Sequence, residues 1–115
     1  MKTITLTAPA IAIQTLTELV TIYVDAAYPA GGSECAQSAR EALLTTAQQL
    51  RSGYDTDTGS VNISRRIKAH LKSAIEFYPQ AQPERIQSAE RESGLLLKCL
   101  NGDVISLQDW ENSLR

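Results

Sequence analysis

Aromatic side chains are scarce in this chain: one Trp, one Phe and four Tyr among 115 residues. The core is therefore expected to be aliphatic, built from Leu, Ile, Val and many Ala, the residue with the highest helix propensity. Histidine is scarcer still. His70 stands alone, so it can act in catalysis only with a carboxylate, Cys or Ser brought from elsewhere in the fold. Spacings that place two metal-ligating side chains on one helix face are absent. So are the glycine-rich phosphate loops and the nucleophile elbow of common enzyme classes. Cys35 and Cys99 are the two cysteines and sit in no CxxC or Cys/His pattern. They read as buried free thiols, which behave as small hydrophobes. These absences point to a chain with no catalytic residue, no metal and no cofactor.

Charge of either sign is limited as well. Eleven basic against thirteen acidic residues give a net charge of −2, which supplies no global attraction to nucleic acid or an anionic membrane. A length of 115 residues suits one globular domain with a real core. The start, Met-Lys-Thr-Ile-Thr-Leu-Thr, carries one charge and lacks the long apolar run of a secretory signal. The segment from Ile11 to Val24 is broken by Thr, Gln and Glu18, which argues against a membrane span. A cytoplasmic protein is the resulting expectation.

What is present is helical periodicity. Residues 8–27 place Ala12, Leu16, Leu19, Val20, Tyr23, Val24 and Ala27 on one face, with Thr7 as a candidate cap and Pro9 in the first turn. The turn Tyr28-Pro29-Ala30-Gly31-Gly32 ends this helix. Ser33 and Glu34 open a second helix with Cys35, Ala39, Ala42, Leu43, Ala47 and Leu50 as its stripe, stopped at Gly53. A polar loop over residues 54–60 follows. Asp55 to Gly59 faintly resembles a calcium loop. Ser60 stands at the sixth position and Arg66 at the twelfth, where a calcium loop needs Gly and Glu, so a plain turn is expected.

Residues 62–78 read as a third helix, with Ile63, Ile67, Leu71, Ala74 and Tyr78 on its apolar side. Arg65, Lys68 and Lys72 fall opposite, with Arg66 on the flank. No acidic residue occurs between Asp57 and Glu76. This is the one local excess of positive charge, and it makes Arg65, Arg66, Lys68 and Lys72 candidate contacts to phosphates or to an acidic protein. The bland alternative is a solvated face with a Lys72–Glu76 pair. A fourth helix begins at Pro83 and Glu84, where Glu84, Glu90 and Glu92 with Arg85 and Arg91 read as a mixed charged surface. Two continuations compete there: helix through Gly94 to Leu100, or a hairpin of 95–100 with 104–107 across Asn101-Gly102, which the Asn-Gly dipeptide favours. Ser106 with Asp109 resembles a capping box for a last helix at 107–114, docked by Trp110 and Leu114.

The fold expected is mainly α: a compact bundle of three to four helices, with residues 2–7 and 95–107 able to form a small hairpin or sheet. The function expected is that of a small non-enzymatic binding or regulatory protein acting through protein–protein contacts at the basic helix face. Nucleic-acid binding by the same helix is the first alternative, and a small-molecule pocket between helices the second. Surplus apolar surface on the first helix, including Ile11, Ile22 and Tyr23, makes a homodimer interface a further expectation.

Overall fold

A computed structural model describes residues 2–113. Strand β1, Thr3–Thr7, leads into helix α1, Ala10–Ala27, and then helix α2, Glu34–Ser52. Strand β2, Ser60–Ser64, passes through a 3₁₀ turn at Arg65–Ile67 into helix α3, Lys68–Phe77. Two further 3₁₀ turns, Tyr78–Ala81 and Pro83–Arg85, connect to helix α4, Ile86–Leu100, and the short helix α5 spans Leu107–Ser113. The protein is mainly α with a small two-stranded antiparallel sheet.

The sheet's composition corrects the sequence reading. Residues 2–7 do form a strand, but the partner is β2 and not 95–107: Thr3 faces Ser64, Thr5 faces Asn62 and Thr7 faces Ser60. The third helix therefore begins later than residue 62. Val61 and Ile63 are buried on the inner face with Leu6, while Asn62 is exposed. That alternation is a strand's period of two. A two-stranded sheet is marginal alone, and this one is held by packing its inner face on the core, where Leu6, Ile63, Leu43 and Leu50 are each at most 1% exposed.

Helix α4 runs unbroken through Gly94 to Leu100, so the expected hairpin is absent. Gly102, at φ +105°, ends it, and the amides of Gly102 and Asp103 bond back to the carbonyls of Cys99 and Lys98. Asn-Gly serves here as a helix stop. Ser106 caps α5 by accepting the Asp109 amide, and Trp110, 1% exposed, anchors that helix. Seven residues form no stable helix in isolation, so the buried indole is what holds α5. Leu114 lies outside the described residues.

α1 and α2 form a helical hairpin across the Gly31-Gly32 turn. By length and composition α1 is apolar enough to cross a membrane, and here Ala12, Leu16, Leu19, Val20 and Val24 lie in the core. Thr7 does not cap α1, because it is the last residue of β1; Pro9 occupies that position and its carbonyl accepts from Ala12 and Ile13. Ser33 caps α2 as expected, accepting from the Ala36 amide. The beginning of α2 extends beyond the core, and Cys35 is exposed, contrary to the buried thiol expected there. Cys99 is buried, and burial pushes its thiol pKa up. Gly53 closes α2 with φ −95°, an ordinary helical value. Space is what demands glycine: a Cβ there would sit 2.8 Å from the Gln49 carbonyl oxygen.

Candidate functional site

The four basic residues singled out in the sequence come together, though not on one helix. Arg65 and Arg66 sit in the 3₁₀ turn and Lys68 and Lys72 on α3. With Ala69, and with Leu97, Leu100 and Asn101 from the end of α4, they line a cleft of about 500 Å³. The chain folds this way because Ile67, Leu71, Ala74 and Ile75 turn inward against the core, which leaves the basic positions facing out. Leu97 is half-buried and Leu100 buried. The cleft thus has an aliphatic floor and a cationic rim.

A fifth cation, Lys2, lies across the sheet from Arg65. The Arg65 amide donates to the Lys2 carbonyl at 3.1 Å, extending the β1–β2 pairing by one bond and setting Lys2 across from Arg65. Cross-strand partners carry their Cβ atoms about 5 Å apart. Lys2 was not among the sequence candidates, because only the strand pairing brings it there. The signal that would have found it is the alternation of Val61 and Ile63 opposite that of Ile4 and Leu6.

Among the described residues, none of the five side chains has a carboxylate within 4.0 Å. The Lys72–Glu76 pair offered by helical spacing is not formed. Backbone amides play no part in the site: Arg66 N–H is taken by Ser64 Oγ, and Lys68 N–H by the Arg65 carbonyl. Whatever the cleft attracts, it attracts by side-chain charge and by the leucines beneath.

A second cluster has the opposite character. Arg85 and Glu92, which read in sequence as exposed surface charge, form an ion pair at 2.9 Å with the Glu92 side chain only 4% exposed. The Tyr78 hydroxyl donates to Glu92 Oε1 and accepts from the Arg85 guanidinium, which also lies over the Tyr78 ring, 5.6 Å from its centroid. Burial, followed by the Glu92 charge, pushes the Tyr78 pKa up. Ser93 donates to the Ile75 carbonyl at 2.8 Å. Glu92 could have been found in sequence, since it falls in phase with Ala89, Leu96 and Cys99 on the buried face of α4. This cluster fixes the 78–85 connection to α4 and has its polar groups matched.

Comparison with known protein families, curated proteins and solved structures finds no match. The site is therefore read from its own chemistry.

The other candidates are placed as follows. His70 is half-buried, with its ring edge-on to Tyr28 at 6.3 Å. Asp55 accepts the amides of Asp57 and Thr58, which makes its loop an Asx-type turn. At the Gly31-Gly32 turn the Gln37 amide, oriented with its oxygen inward, accepts both glycine amides at 3.1 and 2.9 Å. Of the proposed dimer residues, Ile11 is 46% exposed. Ile22 and Tyr23 are half-buried against the core, with Tyr23 packed on Tyr28 and Phe77.

Proposed function

We propose that this chain is a small non-enzymatic binding protein that acts through protein–protein contacts, with an acidic partner segment held at the cleft between α3 and α4. The observation carrying this is the set of five cations, Lys2, Arg65, Arg66, Lys68 and Lys72, left without ion-pair partners among the described residues. The rim draws carboxylates and steers encounter. The leucine floor is what favours a protein over a nucleic acid, because Leu97 and Leu100 offer a phosphate backbone nothing. Among the described residues no aromatic side chain lines the cleft to stack a base. Between α2 and α3 lie a loop and a strand, which is no helix-turn-helix.

The two free cysteines support a reducing compartment, in keeping with a cytoplasmic protein. A homodimer is proposed with less structure behind it, on the exposure of Ile11 alone.

The test is calorimetric titration with two probes of equal charge: an acidic amphipathic helical peptide of leucine and glutamate, and a mixed-sequence DNA duplex. The peptide is expected to bind more tightly, and Lys68→Glu with Lys72→Glu to weaken it by about tenfold or more. Preference for DNA, with a steep loss of affinity on adding salt, would replace the protein partner with nucleic acid.

A further inference from the structure

β1 has a free edge. In an antiparallel pair, alternate residues direct both backbone groups at the partner strand, and those between direct theirs away. The bonds from Arg65 N–H to the Lys2 carbonyl and from Ala8 N–H to the Gly59 carbonyl fix that alternation. With the register known, Lys2, Ile4, Leu6 and Ala8 face β2, while Thr3, Thr5 and Thr7 present N–H and C=O outward. At Thr7 the outward carbonyl is used: it accepts the Ile105 amide at 3.0 Å. The chain around Ile105 thus meets this edge at one bond, and the sheet stays two-stranded. Thr3 and Thr5 keep outward groups with no backbone partner among the described residues, and both residues are exposed.

We infer that the outer edge of β1 at Thr3–Thr5 takes up an extended acidic segment of the partner as an added strand. This deepens the proposed function and rests on the partner being an acidic protein. An unpaired strand edge is a template for main-chain pairing, and the Ile105 bond shows that an outward carbonyl of β1 can be reached by another backbone amide. Charge selects the occupant. Lys2 lies at one end of the edge, opposite Arg65, which Arg66 follows in the chain, and all three lack ion-pair partners among the described residues. A second copy pairing β1 with β1 would bring no carboxylate, since residues 2–7 carry none, whereas an acidic strand neutralises the cluster.

The experiment follows the amide exchange of Thr3 and Thr5 by NMR while a short acetylated peptide of alternating valine and glutamate is added. Exchange at both amides is expected to slow. The same peptide, N-methylated at alternate residues, keeps its charge and side chains but loses one row of donors. It is expected to bind about tenfold more weakly, the cost of one or two backbone hydrogen bonds. Thr5→Pro is the matching variant: it removes an outward amide and leaves the β2 ladder intact, and edge strands tolerate proline. If N-methylation and Thr5→Pro leave affinity unchanged while Lys68→Glu with Lys72→Glu abolishes it, the added strand is wrong and the cleft stands. If those charge reversals change nothing, the cleft reading itself fails. Protection of Thr3 and Thr5 that grows with protein concentration, with no peptide present, would overturn the acidic occupant in favour of a second copy.

Discussion

Two arginine clusters in this small protein are built on opposite terms. Around Glu92, a guanidinium, a carboxylate and a phenol satisfy one another at the edge of the core. Around the α3–α4 cleft stand four cations, with Lys2 across the sheet from Arg65, and none of the five has an ion-pair partner among the described residues. Buried charge must be matched, because an unpaired ion in the interior costs several kcal/mol. Exposed charge need not be, and a cluster of one sign at the surface slightly opposes folding. Arg85 is thus explained by the fold it holds, whereas Arg65 and Arg66 have no ion-pair partner among the described residues and are proposed to meet one outside the fold.

Breaking the matched cluster is expected to have the largest effect. Arg85→Ala leaves the Glu92 carboxylate buried, with Tyr78 as its one remaining side-chain partner among the described residues. It should cost about 2–3 kcal/mol in urea denaturation, below the usual figure for a broken buried pair because the guanidinium is 39% exposed. An unchanged midpoint would mean that water already serves Glu92. Next comes the helix that joins the two regions, with Glu92 in its middle and the cleft floor at its end. Gly94 is exposed within α4, and an added Cβ meets nothing within 4 Å. Gly94→Ala should therefore raise stability by about 0.5–1 kcal/mol, read as an increased thermal midpoint with cleft binding unaltered.

A smaller effect concerns alkali. Tyr78 and Cys99 both have folded pKa values raised above their unfolded ones. Their contribution to stability is full below the unfolded values and is lost as pH rises through the folded ones. Stability should therefore fall above about pH 9, and Tyr78→Phe with Cys99→Ala should flatten that fall. A pH profile identical in the double variant would remove these groups as its cause. Smallest of all is the stability change from Lys68→Glu with Lys72→Glu, expected within about 0.5 kcal/mol. A large loss would mean that these lysines support the fold after all, and the contrast between the clusters would collapse.

The helices were legible in the sequence where one period ran alone. α1 and α2 follow from apolar spacing and from Ser33. β2 was hidden because two periods overlap: Ile63 continues the i, i+4 series of Ile67 and Leu71 while also alternating with Val61. Only the partner strand, nearly sixty positions earlier, decides between them. Asn101-Gly102 misled for a related reason. A hairpin turn and a helix stop both need a positive φ at glycine, so the dipeptide could not tell them apart. Of the candidate site, the four basic residues were visible as a charge excess. Lys2 and the leucine floor were not, since both come from segments remote in sequence. Glu92 was misread because charge outweighed its place in the apolar phase of α4.

The pairing of Thr3 with Ser64 and the bond from Ile105 to Thr7 have a consequence in time. Both join points far apart along the chain, and such contacts form slowly because long loops must close first. The helical hairpin of α1 and α2 can form from local contacts while the sheet is still open. Lys2 meets Arg65 only when the sheet closes, and the cleft floor arrives only with the end of α4. During synthesis, which releases Lys2 first and Leu100 late, the cation cluster is therefore among the last features to be assembled.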